Sequence, residues 1–152
     1  MIKIGVFSFT CCEGCVVSFI EILNKKHAEY TKKMKIVNFR QLKTDKKIVQ
    51  MDIAFVEGAI STESEIKKLK EIRKKSKKLI ALGNGAVNGY PSNQRNKFSA
   101  EKKKLIQPLI EKFHQLKTIE PISKFVKVDD NIEGCPVSEQ DLINKIEGYL
   151  AK

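Results

Sequence analysis

Four short, almost uninterrupted apolar runs constrain this chain more than any other feature: "IKIGVFSF" (2–9), "MKIVNF" (34–39), "MDIAFVEG" (51–58) and "KLIALGNG" (78–85). Each has strand length and bounds its apolar stretch with a turn or a change of period. Continuous Ile, Val and Phe, without polar alternation, is the pattern of a strand covered on both faces. Between and after these runs the period becomes helical. Phe19, Ile20 and Leu23 recur at helical spacing within "VVSFIEIL" (16–23). Residues 61–78 read as a helix, with Ser61 or Thr62 as N-cap and an apolar stripe of Ile66, Leu69 and Ile72. Acids in its first turn and bases in its last suit the helix dipole. Residues 99–116 read as a further helix carrying Pro108, and residues 138–150 as a last one, capped by Ser138 with Leu142, Ile143 and Ile146 facing in. Strands alternating with helices predict an α/β domain whose parallel sheet is wrapped on both faces by right-handed crossovers. Residues 118–136 show no clear period, and a long irregular segment of that kind often carries function.

The chain has 152 residues, enough for one domain with a core that folds without disulfides. Nothing at the start resembles a secretory leader, no run is long enough to span a bilayer, and the four cysteines do not form a secreted framework. A cytoplasmic setting is the expectation. The formal charge is +11, from 29 Lys and Arg against 18 Asp and Glu. Those bases are mostly lysines dispersed over amphipathic helices rather than gathered on one arm with aromatic residues, so nucleic acid is not the expected partner. Solvated helix faces account for most of them, and an acidic electron-transfer partner would also be steered by them.

In an open parallel sheet, ligands sit beyond the carboxyl ends of the strands. Cys11, Cys12 and Cys15 follow the first run, "EGA" (57–59) the third and "GNGAVNGYP" (83–91) the fourth, while Cys135 stands in "EGCP" (133–136) of the late irregular segment. Loops so far apart in sequence can meet at one edge. Cys12 and Cys15 form a C-x-x-C motif at a strand-to-helix turn. Iron–sulfur ligation, a dithiol, zinc and ordinary packing are all open on spacing alone. Zinc lacks a second paired motif, and a dithiol leaves Cys11 and Cys135 without a role. Iron–sulfur clusters take four thiolates, often ending in Cys-Pro. A flavin phosphate would want Ser, Thr and Gly where this loop has thiols.

Taken together, "FSFTCCEGCVVSF", "FVEGAISTESEIKKLKEIRKKSKKLIALGNGAVNGYPSNQRN" and "FVKVDDNIEGCPVSEQDLINKI" resemble the small, electron-transfer subunit of nickel–iron hydrogenases. The likeness is to the cytoplasmic sulfhydrogenase delta and coenzyme-F420 hydrogenase gamma type, and the cluster-bearing 20 kDa subunit of complex I is related. It runs in order along nearly the whole chain. The resemblance implies a flavodoxin-like open sheet in three αβα layers, holding one four-iron four-sulfur cluster. It also implies a large partner subunit with the nickel–iron centre, and a further electron carrier, either a subunit or a soluble ferredoxin-like or cofactor partner. Such a chain belongs to an oxidoreductase but is not catalytic alone. Longer relatives append a ferredoxin-like region, which is not expected within residues 1–152.

By the same resemblance, Cys12, Cys15 and Cys135 are cluster ligands, with Gly14 and Pro136 part of their motifs. The family places a cysteine where this chain has Gly85. Cys11 is the available replacement, since the complex I relatives use a tandem Cys-Cys in this loop. The alternatives are a three-cysteine cluster with an outside ligand, a cluster-free scaffold, or a thiol–disulfide protein. Glu57 matches a position near the cluster and is a candidate for a proton or polar role, against a plain turn with Gly58. Gly83, Gly85 and Gly89 permit close backbone approach and lack the G-K-[ST] of a nucleotide loop. Asn88, Pro91 and Arg95 are expected at the docking face. His27 and His114 lack ligand spacing and are read as surface or packing residues.

Overall fold

The computed structural model describes residues 1–42 and 47–151. Along the chain come β1 (Ile2–Ser8), α1 (Gly14–Lys25), α2 (His27–Lys33), β2 (Met34–Phe39), β3 (Met51–Glu57), β4 (Ile60–Thr62) and α3 (Glu63–Lys75). They are followed by β5 (Ser76–Leu82), α4 (Gly83–Asn88), α5 (Ala100–Lys112), β6 (Gln115–Glu120), β7 (Asp130–Ile132) and α6 (Glu139–Leu150). Five strands make one parallel sheet in the order β2-β1-β3-β5-β7, while β4 and β6 pair antiparallel as a small second sheet. The order and the all-parallel pairing are those of a flavodoxin-like doubly wound sheet.

The pleat explains why the strand runs are apolar throughout. On one face Ile53, Phe55, Ile80 and Leu82 join Ile4, Val6 and Ile132 beneath α1, α2 and α6. On the other face the alternate residues Ala54, Val56, Leu79 and Ala81 meet Leu69 and Ile72 of α3 and Ala86 of α4. Three layers result, with the sheet dry on both sides. Phe19 of α1 is fully buried between the rings of Phe39 and Phe55, at centroid distances of 5.9 and 5.1 Å in edge-on geometry.

Some expectations change. Residues 27–33 form α2, which the sequence reading passed over because its only buried residue is Tyr30. The long helix stops at Lys75, and the lysines at 77 and 78 already belong to β5, on its exposed outer end. Its cap is Thr62, whose side chain accepts from the Glu65 amide while the Glu65 carboxylate accepts from the Thr62 amide. The glycine-rich segment opens as helix α4 rather than as a loop. Residues 118–136 are not structureless either, because β6 ends in them and β7 lies within them. β6 escaped notice because only Ile119 is buried among its six residues, and β7 because three residues show no period. His27 and His114 are both exposed, as expected. No helix among the described residues is long and apolar enough to cross a membrane.

Candidate metal centre

The loops after β1, β3 and β5, together with the segment after β7, meet at the carboxyl edge of the sheet. One pocket there is lined by Thr10, Cys11, Cys12, Cys15, Glu57, Leu82, Asn84, Gly85, Cys135 and Pro136, with Tyr90 and Pro91 at its rim. All four cysteines of the chain are therefore on one cavity, and all are free thiols. Gly14 packs beside two of its lining residues: a Cβ there would stand 3.4 Å from Cys12 Sγ and 3.7 Å from Pro136 Cβ.

Backbone pairing between distant segments holds this arrangement. The Phe9 amide donates to the Glu57 carbonyl at 2.9 Å, and Thr10 and Ala59 exchange amide–carbonyl bonds of 3.1 and 3.0 Å. Thr10 Oγ1 also donates to Glu65 Oε1 at 3.0 Å, so the cysteine loop is anchored to the start of α3. Across the pocket, the Asn84 amide donates to the Gly134 carbonyl at 2.8 Å, and Asn84 Oδ1 accepts from the Gly134 amide at 2.9 Å. That clamp fixes the residue next to Cys135. Thr10 and Asn84 were missed in the sequence, since each acts on a partner about fifty residues away and carries no motif.

Glu57 is 3% exposed and has a definite task. Helix α1 begins without a side-chain cap of its own, after Glu13 in a left-handed conformation. The Glu57 carboxylate takes over, accepting from the amides of Cys15 at 3.2 Å and Val16 at 3.0 Å. These are two of the orphan donors of a helix N-terminus. Burial pushes the Glu57 carboxyl above its ordinary value, and the two amides oppose that rise. Burial also pushes the Cys11 and Cys15 thiols up to about 12, with the nearby Glu57 charge adding to the effect. In the metal-free protein both are thiols, and a bound metal would have to displace their protons.

Gly83 and Gly85 play separate parts. Gly83 has φ +79°, and a Cβ on it would fall 2.4 Å from Cys15 Sγ, so only glycine leaves that sulfur its place. A Cβ on Gly85 would instead meet the Gly58 Cα at 3.2 Å and the Ala59 nitrogen at 3.6 Å. The space beyond Gly85 is thus taken by the backbone after β3. Gly58 is also close to Cys11: a Cβ at Gly58 would meet the Cys11 Cβ at 3.1 Å. Gly58 is thus a near neighbour of both Cys11 and Gly85, and those two residues line the same pocket.

Among the described residues, no three His, Cys, Asp or Glu side chains are grouped tightly enough to hold a metal ion. A four-iron cluster takes its thiolates at separate corners, one per iron, and the donor set here fits it in kind and number. The pocket's volume is about 60 Å³. Cys12, Tyr90, Pro91 and Cys135 on its lining are exposed.

The residues expected at a docking face divide. Pro91 lines the pocket. Asn88 is exposed, and its Oδ1 accepts from the Tyr90 amide. Arg95 turns inward, donating to Gln115 Oε1 and, at 2.6 Å, to the Leu116 carbonyl. Its guanidinium binds residues 92–97 to β6 rather than facing outward.

Comparison with known proteins agrees with the geometry. The family model described as NADH ubiquinone oxidoreductase, 20 Kd subunit, matches residues 12–149. The delta subunit of sulfhydrogenase 2 from Pyrococcus furiosus is 28% identical over 92% of this chain and 58% of its own length. The gamma subunit of coenzyme F420 hydrogenase from Methanosarcina barkeri is 32% identical over 98% of this chain and 54% of its own. The chain thus spans little more than half the length of these curated relatives. Among solved structures, an NAD+-reducing NiFe hydrogenase in the H2-reduced state superposes with a TM-score of 0.86 at 25% identity, covering 99% of this chain and 91% of that one. The nickel–iron–selenium hydrogenase of Desulfomicrobium baculatum, at 14% identity, shares the fold with a TM-score of 0.64 over 99% of this chain and 62% of that one. With the match running from Cys12 nearly to the end of α6, the chain belongs to the family of the 20 Kd subunit of NADH ubiquinone oxidoreductase, alongside hydrogenase small subunits.

Proposed function

We propose that this chain is the electron-transfer small subunit of a cytoplasmic nickel–iron hydrogenase complex, binding one four-iron four-sulfur cluster through Cys11, Cys12, Cys15 and Cys135. The observation that carries the reading is that every cysteine of the chain lines one pocket at the carboxyl edge of the sheet. When bound, such a cluster supplies one-electron transfer between a nickel–iron site on a large subunit and a further carrier. The chain's own residues fix the donors: Glu57 orients the first turn of α1 and hence Cys15, Asn84 holds Gly134 beside Cys135, and Gly83 leaves room for the Cys15 sulfur. Cys11, which lines the same pocket as Gly85, completes the set.

Anaerobic purification with iron and acid-labile sulfide analysis tests this. About four of each per chain are expected, with loss or a changed spectrum in Cys11→Ser. A nickel-containing large subunit should co-purify. Protein that takes up no iron after anaerobic reconstitution sinks the reading. It would leave a cluster-free scaffold module, which the packing of Gly85 against Gly58 favours as the second reading.

A further inference from the structure

Helix α5 is the one long helix among the described residues with no buried residue, and it lies on β6 of the small sheet rather than on the main one. Ile106 and Ile110 are half-buried. Beside them, at four-residue spacing, run Leu105, Leu109 and Phe113, which are 78%, 55% and 59% exposed. One such side chain in water needs no explanation, but three on one stripe form a patch of the kind that marks an interaction surface. A helix of this length draws little stability from propensity alone, and this one also holds Pro108.

The surrounding charge identifies the kind of partner. Lys102 and Lys112 interleave with the stripe on the helical wheel, and Lys103 and Lys104 follow in the same turns, against Glu101 and Glu111. A second copy of the chain would bring the same lysines and the same +11 charge to the contact, so self-pairing is opposed by like-charge repulsion. An apolar groove rimmed with carboxylates would be complementary. We infer that the Leu105–Leu109–Phe113 stripe is a docking ridge for a different polypeptide with such a groove. On the small-subunit reading, on which this rests, that polypeptide is the nickel–iron large subunit.

The test co-expresses the full chain with its large subunit and measures complex affinity and hydrogen exchange. Protection of residues 100–113 on complex formation is expected, with affinity roughly tenfold or more weaker in Leu109→Glu. The melting temperature of the isolated variant should be unchanged, because the side chain is exposed. Lys102→Glu with Lys112→Glu should weaken the complex and flatten its salt dependence. A wild-type complex in which residues 100–113 stay unprotected and Leu109→Glu binds normally overturns the docking ridge while leaving the small-subunit reading intact. A homodimer of the chain broken by Leu109→Glu overturns it in favour of self-association. No complex with the large subunit at all overturns the subunit reading, and the ridge falls with it.

Discussion

At Glu57 a buried carboxylate ends β3 and caps a helix more than forty positions earlier in the chain. Replacing it with alanine leaves the amides of Cys15 and Val16 buried without an acceptor. Glu57→Ala should lower the unfolding free energy of the metal-free protein by about 3 kcal/mol. Glu57→Gln, which keeps one acceptor oxygen, should lose about half as much. Urea melts measure both, and a loss below ~1 kcal/mol for alanine would contradict the capping role. Residues at this scale were legible in the sequence where their chemistry is local. The C-x-x-C of Cys12 and Cys15 and the Cys135–Pro136 pair announce themselves by spacing. Glu57 was legible as a polar residue near the site, but not as a cap, since nothing in "VEGA" points to the amides of α1. Asn84 was invisible for the same reason, as its partner Gly134 is fixed only by tertiary pairing.

Among the elements, α3 is the one whose sequence says most about itself. The Thr62–Glu65 capping box joins the small sheet to the helix, and Glu65 also receives Thr10 from the cysteine loop. Thr62→Ala should cost about 1 kcal/mol of stability, read as a lowered urea midpoint at unchanged slope. A shift in slope would mean that the loop around Thr10 had come loose as well. β1, β2, β3 and β5 were equally readable, because a strand dry on both faces has no polar alternation to disguise it. The reverse holds for β6 and β7. β6 sits on a two-stranded sheet with Lys117 and Thr118 exposed, and β7 is held by three register pairs to β5. Neither had enough buried residues to leave a pattern.

For the molecule as a whole, acid stability rests on aspartates at the ends of the sheet. Asp52 is held below its ordinary value by hydrogen bonding from Lys77 and from the Lys3 amide. At Asp129 and Asp130 burial works against the charged form, but it is outweighed. For Asp129 the Leu79 amide and Arg73 prevail, and for Asp130 it is Lys145 and Tyr149. Each folded-state value lies below the unfolded one, so the folded protein binds fewer protons between the two. The stabilisation is present at neutral pH and fades as pH falls from about 3.9 through the lower folded values. Glu57, raised rather than lowered, acts in the opposite sense and at higher pH. Urea midpoints taken from pH 7 down to pH 3 should therefore drop most steeply at the acid end. In Asp130→Asn that drop should be shallower and neutral stability lower.

The Asn84–Gly134 clamp has a consequence for how such a molecule is made. Cys135 follows β7, whose only strand partner among the described residues is β5, so its place depends on segments made well after the first cysteines. Cys11, Cys12 and Cys15 all precede Cys135 by 120 residues or more. A growing chain therefore carries three thiols while the next 120 residues are made, before the fourth exists. If the four cysteines hold a cluster as proposed, iron and sulfide can complete it only after Cys135 has emerged, and until then the three earlier sulfurs need protection from oxidants.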